Sequence, residues 1–303
     1  MSKIRKERLL MNIHFYTNIV TIIISMLMML PVALLLDGIF RKLLAKAHNR
    51  VGPSIFQPFY DLFKLFEKKR SDSAGYKSLF FRVVPVLYFL STYSLFLFIL
   101  GVIQFQFDFI LLIYMIVLSS ALYILLGLVS NSPFGVFGSM RDMLLMICYE
   151  VALTVCIFSF IVYSDVLSLS QVNQSWLLFK LPLVSICMVV ITLVETRITP
   201  FDTTDAEPEI MGSVETEFSG RSLGLLELSR QLRFLFFILL LIRFLFNPVS
   251  AVSFIILFIL MFFILLLSEA TSARFRTDQT FNWLIIVLML SVMGFIRIHF
   301  LVW

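Results

Sequence analysis

The sequence contains few of the residues that a water-soluble domain carries on its surface. Only 14% of its 303 residues are charged, whereas 60% are hydrophobic and the mean hydropathy is +0.99. Soluble domains are about one quarter charged and about half apolar. No water-soluble fold could bury this much apolar surface, so the composition predicts an integral membrane protein.

Cysteine and histidine are also scarce, and neither is clustered. Iron–sulfur and zinc sites need paired or grouped ligands. We therefore expect plain core cysteines, no metal and no cofactor in this chain, its cysteines and histidines being Cys148, Cys156, Cys187, His14, His48 and His299. The net charge of +5 is spread over loops, which gives little support to a nucleic-acid partner.

Apolar runs long enough to cross a bilayer recur along the whole chain. A helix needs about 20 mostly apolar residues to cross about 30 Å of hydrocarbon. This length predicts an all-α polytopic membrane protein, a single membrane domain over 1–303, with about eight spans at 13–36, 80–103, 108–129, 143–164, 181–198, 223–246, 249–268 and 281–301. The fifth span is the shortest, and the sixth contains Arg230 and Arg233. The basic start could belong to a signal peptide, but the run after it has spanning length and no small-residue cleavage site.

Lysine and arginine are concentrated in one connection. Ten of the 24 lie between the first span and Arg82, and such an excess marks the cytoplasmic side. We therefore expect the loops at 37–79 and 199–222 to be cytoplasmic, in a prokaryotic cell membrane whose lipid bilayer surrounds the protein. The basic N terminus, which this topology places outside, is its one conflict.

The first cytoplasmic loop contains a helical pattern. Pro58 stands where a first helical residue is tolerated, and apolar residues follow it at helical spacing, namely Phe59, Leu62, Phe63 and Phe66. Charged residues take the other side, namely Asp61, Lys64, Glu67 and Lys68. The pattern predicts an amphipathic helix in the membrane interface. It is either an interfacial anchor or a docking surface for a soluble partner.

The second cytoplasmic loop is acidic. Between Arg197 and Arg221 it contains no cation and six carboxylates, which are Asp202, Asp205, Glu207, Glu209, Glu215 and Glu217. So dense a cluster repels itself unless it is compensated. The cluster is either simply solvated or has a function that needs its carboxylates together. Pro200-Phe201 and Phe218 within it are typical of packed turns, not of a disordered acidic tract.

Some carboxylates are predicted inside the spans. Glu150 lies about 12 Å along its helix from Asp142 at 1.5 Å per residue, and Glu195 lies near the inner end of the fifth span. Ionisable residues inside a membrane are costly and usually functional, and neither glutamate has a well-placed cation within its own helix. We interpret both as proton-relay candidates, together with Glu227 and the six carboxylates of the acidic loop. Glu227 could instead simply pair with Arg230, and Glu269 with Arg274.

Three motifs occur in a recognisable order. They are Asn49-Arg50-Val51-Gly52-Pro53 with Gln57-Pro58-Phe59-Tyr60-Asp61 and Lys64, then Ser139-Met140-Arg141-Asp142 with Tyr149-Glu150, and then Pro200-Phe201-Asp202 through Glu207-Pro208-Glu209 to Glu217-Phe218-Ser219-Gly220. From about Arg41 to Asp278 the chain resembles the membrane subunit that joins the two arms of respiratory complex I. The same family includes the counterparts of that subunit in energy-converting membrane-bound hydrogenases.

The resemblance implies a role in a larger complex. The chain would be a non-catalytic subunit that couples redox chemistry to movement of H⁺ or Na⁺ along a carboxylate route. Its partners would be iron–sulfur and hydrogenase-like large and small peripheral subunits and antiporter-like membrane subunits. Iron–sulfur clusters, with or without a nickel–iron centre, would lie in those partners. The loop residues implied in docking are Arg50, Gly52, Pro53, Gln57, Phe59, Asp61, Lys64 and Arg141.

The branch of the family is a finer question. Only Ser54-Ile55-Phe56 separates the Gly-Pro and Gln-Pro elements, which is similar to the hydrogenase branch and favours a ferredoxin-linked complex. Pro208 departs from that branch, so a membrane-bound sulfane reductase stays open, as does a quinone-pocket subunit of a complex I-type enzyme. A free-standing secondary transporter has less support, because the sequence shows no internal repeat.

Overall fold

The computed structural model describes the backbone of residues 2–69, 79–101, 107–165, 177–204, 212–246 and 250–302, and side chains from residue 24 to 298 within these ranges except residue 177. These ranges contain no strand. They contain ten α-helices, which are α1 (Ser2–Ala47), α2 (Gln57–Glu67), α3 (Leu79–Ile99), α4 (Asp108–Val129), α5 (Pro133–Ser164), α6 (Leu177–Lys180), α7 (Pro182–Glu195), α8 (Arg221–Leu245), α9 (Ala251–Thr271) and α10 (Thr277–Val302).

Six of these helices are long and apolar enough to cross a membrane, namely α1, α3, α4, α5, α9 and α10. The all-α polytopic class is therefore confirmed, whereas the count of eight spans is not. The fifth predicted span is α7, whose 14 residues measure only about 21 Å at 1.5 Å per residue. The sixth is α8, whose 25 residues include four arginines and a glutamate.

Two helices extend well beyond the predicted spans. Helix α1 continues to Ala47, past Arg41 and Lys42. Helix α5 begins at Pro133, a residue suited to the first turn because it has no N–H to satisfy. Backbone hydrogen bonding does not require apolar side chains, so a helix that leaves the membrane can carry charged residues on the same axis.

Helix α8 lies at the centre of the bundle. It packs against α1, α2, α3, α7 and α9, while α5 packs against α4, α7 and α10. Nearly all side chains of α8 from Gln231 onward are buried, Arg233 included. Arg233 is therefore enclosed by protein and kept from contact with lipid, whereas Arg221 near the start of the helix is exposed.

Helix α2 confirms the amphipathic pattern of the first loop and shows where its faces lie. Pro58 is buried, and Phe59 and Leu62 pack against the main core. Phe63 is 63% exposed and Tyr60 is 65% exposed. The helix thus packs against α1 and α8 with one edge and leaves an aromatic edge exposed.

The acidic loop is folded at both of its described ends. Phe201 is buried and packs edge-on against Phe275, with ring centroids 5.8 Å apart. Phe218 is buried and stacks on Phe81 of α3 at 4.5 Å. A short 3₁₀ helix at Ser213–Glu215 packs against α5 and α4. The packed turns predicted at Phe201 and Phe218 are therefore confirmed.

Candidate functional site

Four helices each contribute one side chain to a buried polar network, which consists of Ser120 (α4), Glu150 (α5), Glu195 (α7) and Arg233 (α8). Arg233 forms an ion pair with Glu195, and both side chains are almost fully buried. The Nη2 atom of Arg233 also donates to Ser120 Oγ at 2.6 Å. Ser120 Oγ in turn donates to Glu150 Oε1 at 2.5 Å. A continuous hydrogen-bonded line therefore joins the two glutamates.

Several atoms of this network are not satisfied. Glu150 Oε2, Glu195 Oε1, and Nε and Nη1 of Arg233 are buried without a hydrogen-bond partner in the part of the chain that the structure describes. Buried polar atoms nearly always have partners, since an unpaired one is costly in a low dielectric. The two free carboxylate oxygens are therefore able to take up a proton or a bound water molecule.

The network contains one guanidinium for two carboxylates. Arg233 offsets the charge of Glu195 through direct contact. The hydrogen bond that Glu150 accepts from a side chain comes from a neutral hydroxyl, that of Ser120. A surplus negative charge inside a bundle is unfavourable, and one proton on the carboxylate pair would remove it.

The cation for Glu195 comes from a different helix, so an expectation based on each glutamate's own helix was incomplete. The signal was present in the sequence, because an arginine inside a predicted span is itself a candidate functional residue. At the level of the sequence, Arg233 only weakens the prediction of the sixth span, because a charged residue is costly in lipid. Ser120 carried no such signal, since buried serines commonly donate to their own helix, as Ser119 does to the Ile116 carbonyl.

A second buried ion pair lies next to the network. Arg197 Nη2 is 3.0 Å from Asp142 Oδ2, and both side chains are largely buried. The guanidinium carbon of Arg197 lies 3.2 Å from the centroid of the Tyr123 ring, a cation–π contact that adds to the pair. Arg197 follows Glu195 by two residues at the end of α7, so this pair ties the start of the acidic loop to α5.

A polar cavity of about 470 Å³ lies between α1, α8 and the start of the acidic loop. Arg41 Nε is 2.8 Å from Asp37 Oδ2 and Gln231 donates to the same oxygen at 3.2 Å. Across the cavity, Arg230 pairs with Glu227 at 2.8 Å. The apolar residues Phe40 and Phe234 also line the wall. The prediction that Glu227 pairs with Arg230 is confirmed.

The predicted carboxylates of the acidic loop lie in different places. Asp202 pairs with Arg274 at 2.8 Å, and Glu215 lies 3.6 Å from Arg230 at the cavity. Glu217 is half-buried. The remaining three candidates, Asp205, Glu207 and Glu209, lie outside the described residues.

The predicted pairing of Glu269 with Arg274 is wrong. Glu269 Oε2 accepts hydrogen bonds from the amide and hydroxyl of Thr199 instead, at 2.9 and 3.2 Å, while Arg274 pairs with Asp202. The reason is geometric, because the loop at Thr199 passes directly beside the end of α9. Residue spacing within one segment cannot predict that contact.

The predicted docking residues separate into two groups. Those on the outer side of the first loop are exposed, namely Arg50, Pro53 and Lys64. Those facing the protein are partly buried, namely Gly52, Gln57, Phe59, Asp61 and Arg141. Asp61 accepts a hydrogen bond from Gln57 at 2.9 Å and lies 3.9 Å from Arg41. Arg141 reaches the Thr203 carbonyl at 3.5 Å.

Metal ligands are not grouped anywhere in the described residues. No set of three His, Cys, Asp or Glu side chains there could hold an ion. Cys148, Cys156 and Cys187 are buried and carry free thiols.

The fold and the buried network define a polytopic all-α membrane protein with ionisable groups enclosed by its helices. A model of the NADH dehydrogenase family matches residues 19–299. The chain therefore belongs to this family.

Two named relatives fit that membership. An NADH-quinone oxidoreductase subunit of Helicobacter acinonychis (strain Sheeba) is 29% identical, over 87% of this chain and 92% of the relative. NADH-ubiquinone oxidoreductase chain 1 of Balaenoptera physalus is 30% identical, over 68% of each chain. The chain is thus a membrane protein related to subunits of redox complexes.

A solved structure shares the fold. A chain in the structure of the membrane-bound sulfane sulfur reductase, an archaeal respiratory membrane complex, superposes with a TM-score of 0.82. The match covers 91% of this chain and 97% of that chain at 21% identity. Such a likeness establishes a common fold.

Proposed function

We propose that this chain is the membrane-anchor and coupling subunit of a redox-driven complex that translocates H⁺ or Na⁺, of the ferredoxin-linked membrane-bound hydrogenase type. The observation that carries the proposal is the buried line Glu150–Ser120–Arg233–Glu195. Membership of the NADH dehydrogenase family supports a place in a redox complex.

The network couples charge on one glutamate to charge on the other. Arg233 contacts Glu195 directly and Glu150 through the Ser120 hydroxyl. A proton gained or lost at either carboxylate changes the electric field at Arg233. In a low dielectric, such a change strongly alters the electrostatic energy of the other carboxylate. The four side chains can therefore pass on a change in charge without a metal of their own.

The acidic loop connects this network to the cytoplasmic side. Asp142–Arg197 lies at the junction between α7 and the loop, so a movement of the loop shifts a charge close to Glu195. The exposed residues Arg50, Pro53 and Lys64 form the surface on which peripheral iron–sulfur and hydrogenase-like subunits would dock. In this proposal those subunits hold the redox centres, and antiporter-like membrane subunits lie beside the helices.

The test is Glu150→Gln in the assembled complex in sealed vesicles. This change keeps shape and hydrogen bonding and removes titration, so we expect assembly and electron transfer to artificial acceptors to persist while ion pumping is lost. Asp278→Asn, at an exposed surface pair, is the control and should pump normally. Pumping at the wild-type ratio to electron transfer in Glu150→Gln would refute the relay.

The type of complex is tested by its composition. A tagged chain purified from membranes should bring iron–sulfur subunits with it, whereas a secondary transporter would purify alone. A partner with two Cys-x-x-Cys pairs would identify the nickel–iron hydrogenase type. Its absence would favour a sulfur or quinone enzyme.

A quinone-pocket role is a second candidate that one observation favours. The 470 Å³ cavity combines charged groups with the apolar walls of Phe40 and Phe234, and small-molecule pockets commonly have this composition and size. Phe234→Trp should narrow the cavity and weaken quinone-dependent turnover. A complex that shows no quinone-dependent turnover excludes this role.

A further inference from the structure

Arg197 lies at the boundary between the buried network and the polar cavity. Its side chain is largely buried and pairs with Asp142 of α5, and the residue also lines the cavity, together with Glu227 and Glu269. The charges of Arg197 and Asp142 both act on Glu195 at the end of α7. The position of this one guanidinium therefore decides how much positive charge lies beside Glu195 and how much faces the carboxylates of the cavity.

The backbone at Arg197 turns sharply where α7 ends. Its φ of 53° lies in the left-handed region. The Arg197 amide donates to the Val194 carbonyl at 3.1 Å, and the next amide, that of Ile198, donates back into the helix as well. These two bonds form a Schellman motif, in which glycine is the usual residue at this position. A residue with a Cβ is strained there and persists only where the surrounding contacts offset the strain.

One such contact is made by the ring of Tyr123 on α4. The guanidinium carbon of Arg197 lies 3.2 Å from the ring centroid, and Tyr123 is buried. A cation over the face of a tyrosine is attracted by the ring quadrupole, most strongly where water is excluded. The guanidinium is therefore held by the Tyr123 ring as well as by the Asp142 carboxylate.

The Tyr123 ring is itself fixed by packing. It belongs to a buried cluster that includes Tyr88 of α3 and, from the acidic loop, Val214 and Phe218. The ring centroids of Tyr88 and Tyr123 are 5.7 Å apart. Because protein interiors are close-packed, the ring has little freedom to move unless these neighbours move. Tyr123 therefore connects the far end of the acidic loop to the guanidinium at its near end.

We propose that Tyr123 is a positioning residue that holds the Arg197 guanidinium beside Glu195. The inference rests on the proposed function, because Tyr123 has a role in coupling only if Glu195 belongs to the relay. Without the ring, the guanidinium swings into the cavity, where other carboxylates are available. Glu195 then loses nearby positive charge, and in a low dielectric this loss changes the energy of moving charge along the network.

The experiment measures how fast Arg197 reacts with phenylglyoxal, a small arginine reagent, in the whole purified complex, with peptide analysis by mass spectrometry. In Tyr123→Leu we expect a reaction about tenfold faster than in the wild type, since a desolvated cation–π contact is lost. Tyr123→Phe keeps the ring face and should keep the wild-type rate. The matched control is Phe109→Leu, which removes a buried ring of the same helix about 21 Å away at 1.5 Å per residue and should also keep that rate.

Two other arginines serve as internal references. Arg276 is exposed and should react equally in every variant, and Arg233 is buried and should stay unreactive. An unchanged Arg197 rate in Tyr123→Leu would overturn the proposal, as would an equal rise in Tyr123→Phe or Phe109→Leu. A simultaneous rise at Arg233 would mean a general loosening of the bundle and would overturn it too.

The role in coupling is measured separately, in sealed vesicles. Tyr123→Leu should lower the ratio of ions moved to electrons transferred, and Tyr123→Phe should preserve it. A faster reaction of Arg197 with an unchanged ratio would overturn the role in coupling. Normal pumping by Glu150→Gln would refute the relay itself, and the rate at which Arg197 is modified does not depend on that result.

Discussion

Arg233 and Glu195 form an ion pair inside the bundle, and the guanidinium of the same arginine reaches Ser120. One arginine on α8 thereby contacts α7 through Glu195 and α4 through Ser120. The two glutamates therefore lie in different environments, because Glu195 has a direct cationic partner and Glu150 has a hydroxyl partner.

Arg233→Leu should strongly destabilise the protein. Removing one member of a buried ion pair leaves an uncompensated charge, at a cost of about 3–5 kcal/mol. The matched control is Arg276→Leu at the exposed pair with Asp278, where we expect a loss of less than about 1 kcal/mol. Thermal unfolding of the purified protein measures both. Equal effects of the two variants would show that the buried pair does not contribute to stability.

Glu195→Gln should behave differently from Glu150→Gln, since it leaves the buried guanidinium of Arg233 without its counter-charge. We expect lower yield and a lower unfolding temperature for Glu195→Gln, and near-normal values for Glu150→Gln. The double variant Glu195→Leu/Arg233→Leu should recover part of the loss, because it removes both charges. Equal stability of the two glutamine variants would contradict this division of duties.

Ser120→Ala should disconnect Glu150 from Arg233. It removes the hydroxyl that bonds to both residues, and leaving buried polar groups unpaired costs about 1–3 kcal/mol. We expect a lower ratio of ions moved to electrons transferred, measured in sealed vesicles. Ser120→Thr keeps the hydroxyl and should keep the ratio. Ser119→Ala is the control, since Ser119 bonds only to its own helix in the described structure.

Arg50→Glu should release peripheral subunits from the membrane fraction. Arg50 is exposed beside α2, and reversing its charge places a carboxylate on the surface proposed for docking. Immunoblots of washed membranes measure the retained subunits, and Lys68→Glu, another exposed position in this loop, is the control. An intact and active complex would leave the loop as an interfacial anchor alone.

Cysteines at Ser54 and Ser250 should report opposite sides of the membrane. Both positions are exposed, and the native cysteines are buried, so an impermeant thiol reagent reads only the introduced ones. In intact cells we expect labelling of Ser250→Cys and protection of Ser54→Cys until the cells are opened. Labelling of Ser54→Cys alone would reverse the predicted topology.

The sequence alone determined the class of the protein, most of its spanning helices and the two glutamates of interest. Apolar runs are a local property, and a carboxylate within such a run is visible without a fold. The sequence also indicated the turns at Phe201 and Phe218, because aromatic residues among acidic ones need packing partners.

Only the tertiary structure decided which groups meet. The partners of Glu195 and Glu150 come from α8 and α4, at separations of 38 and 30 residues. Spacing rules within one helix cannot predict such pairs. The same holds for Glu269, which bonds to Thr199 across 70 residues. Length marks a membrane helix, but the energy of a buried charge depends on what the neighbouring helices place beside it.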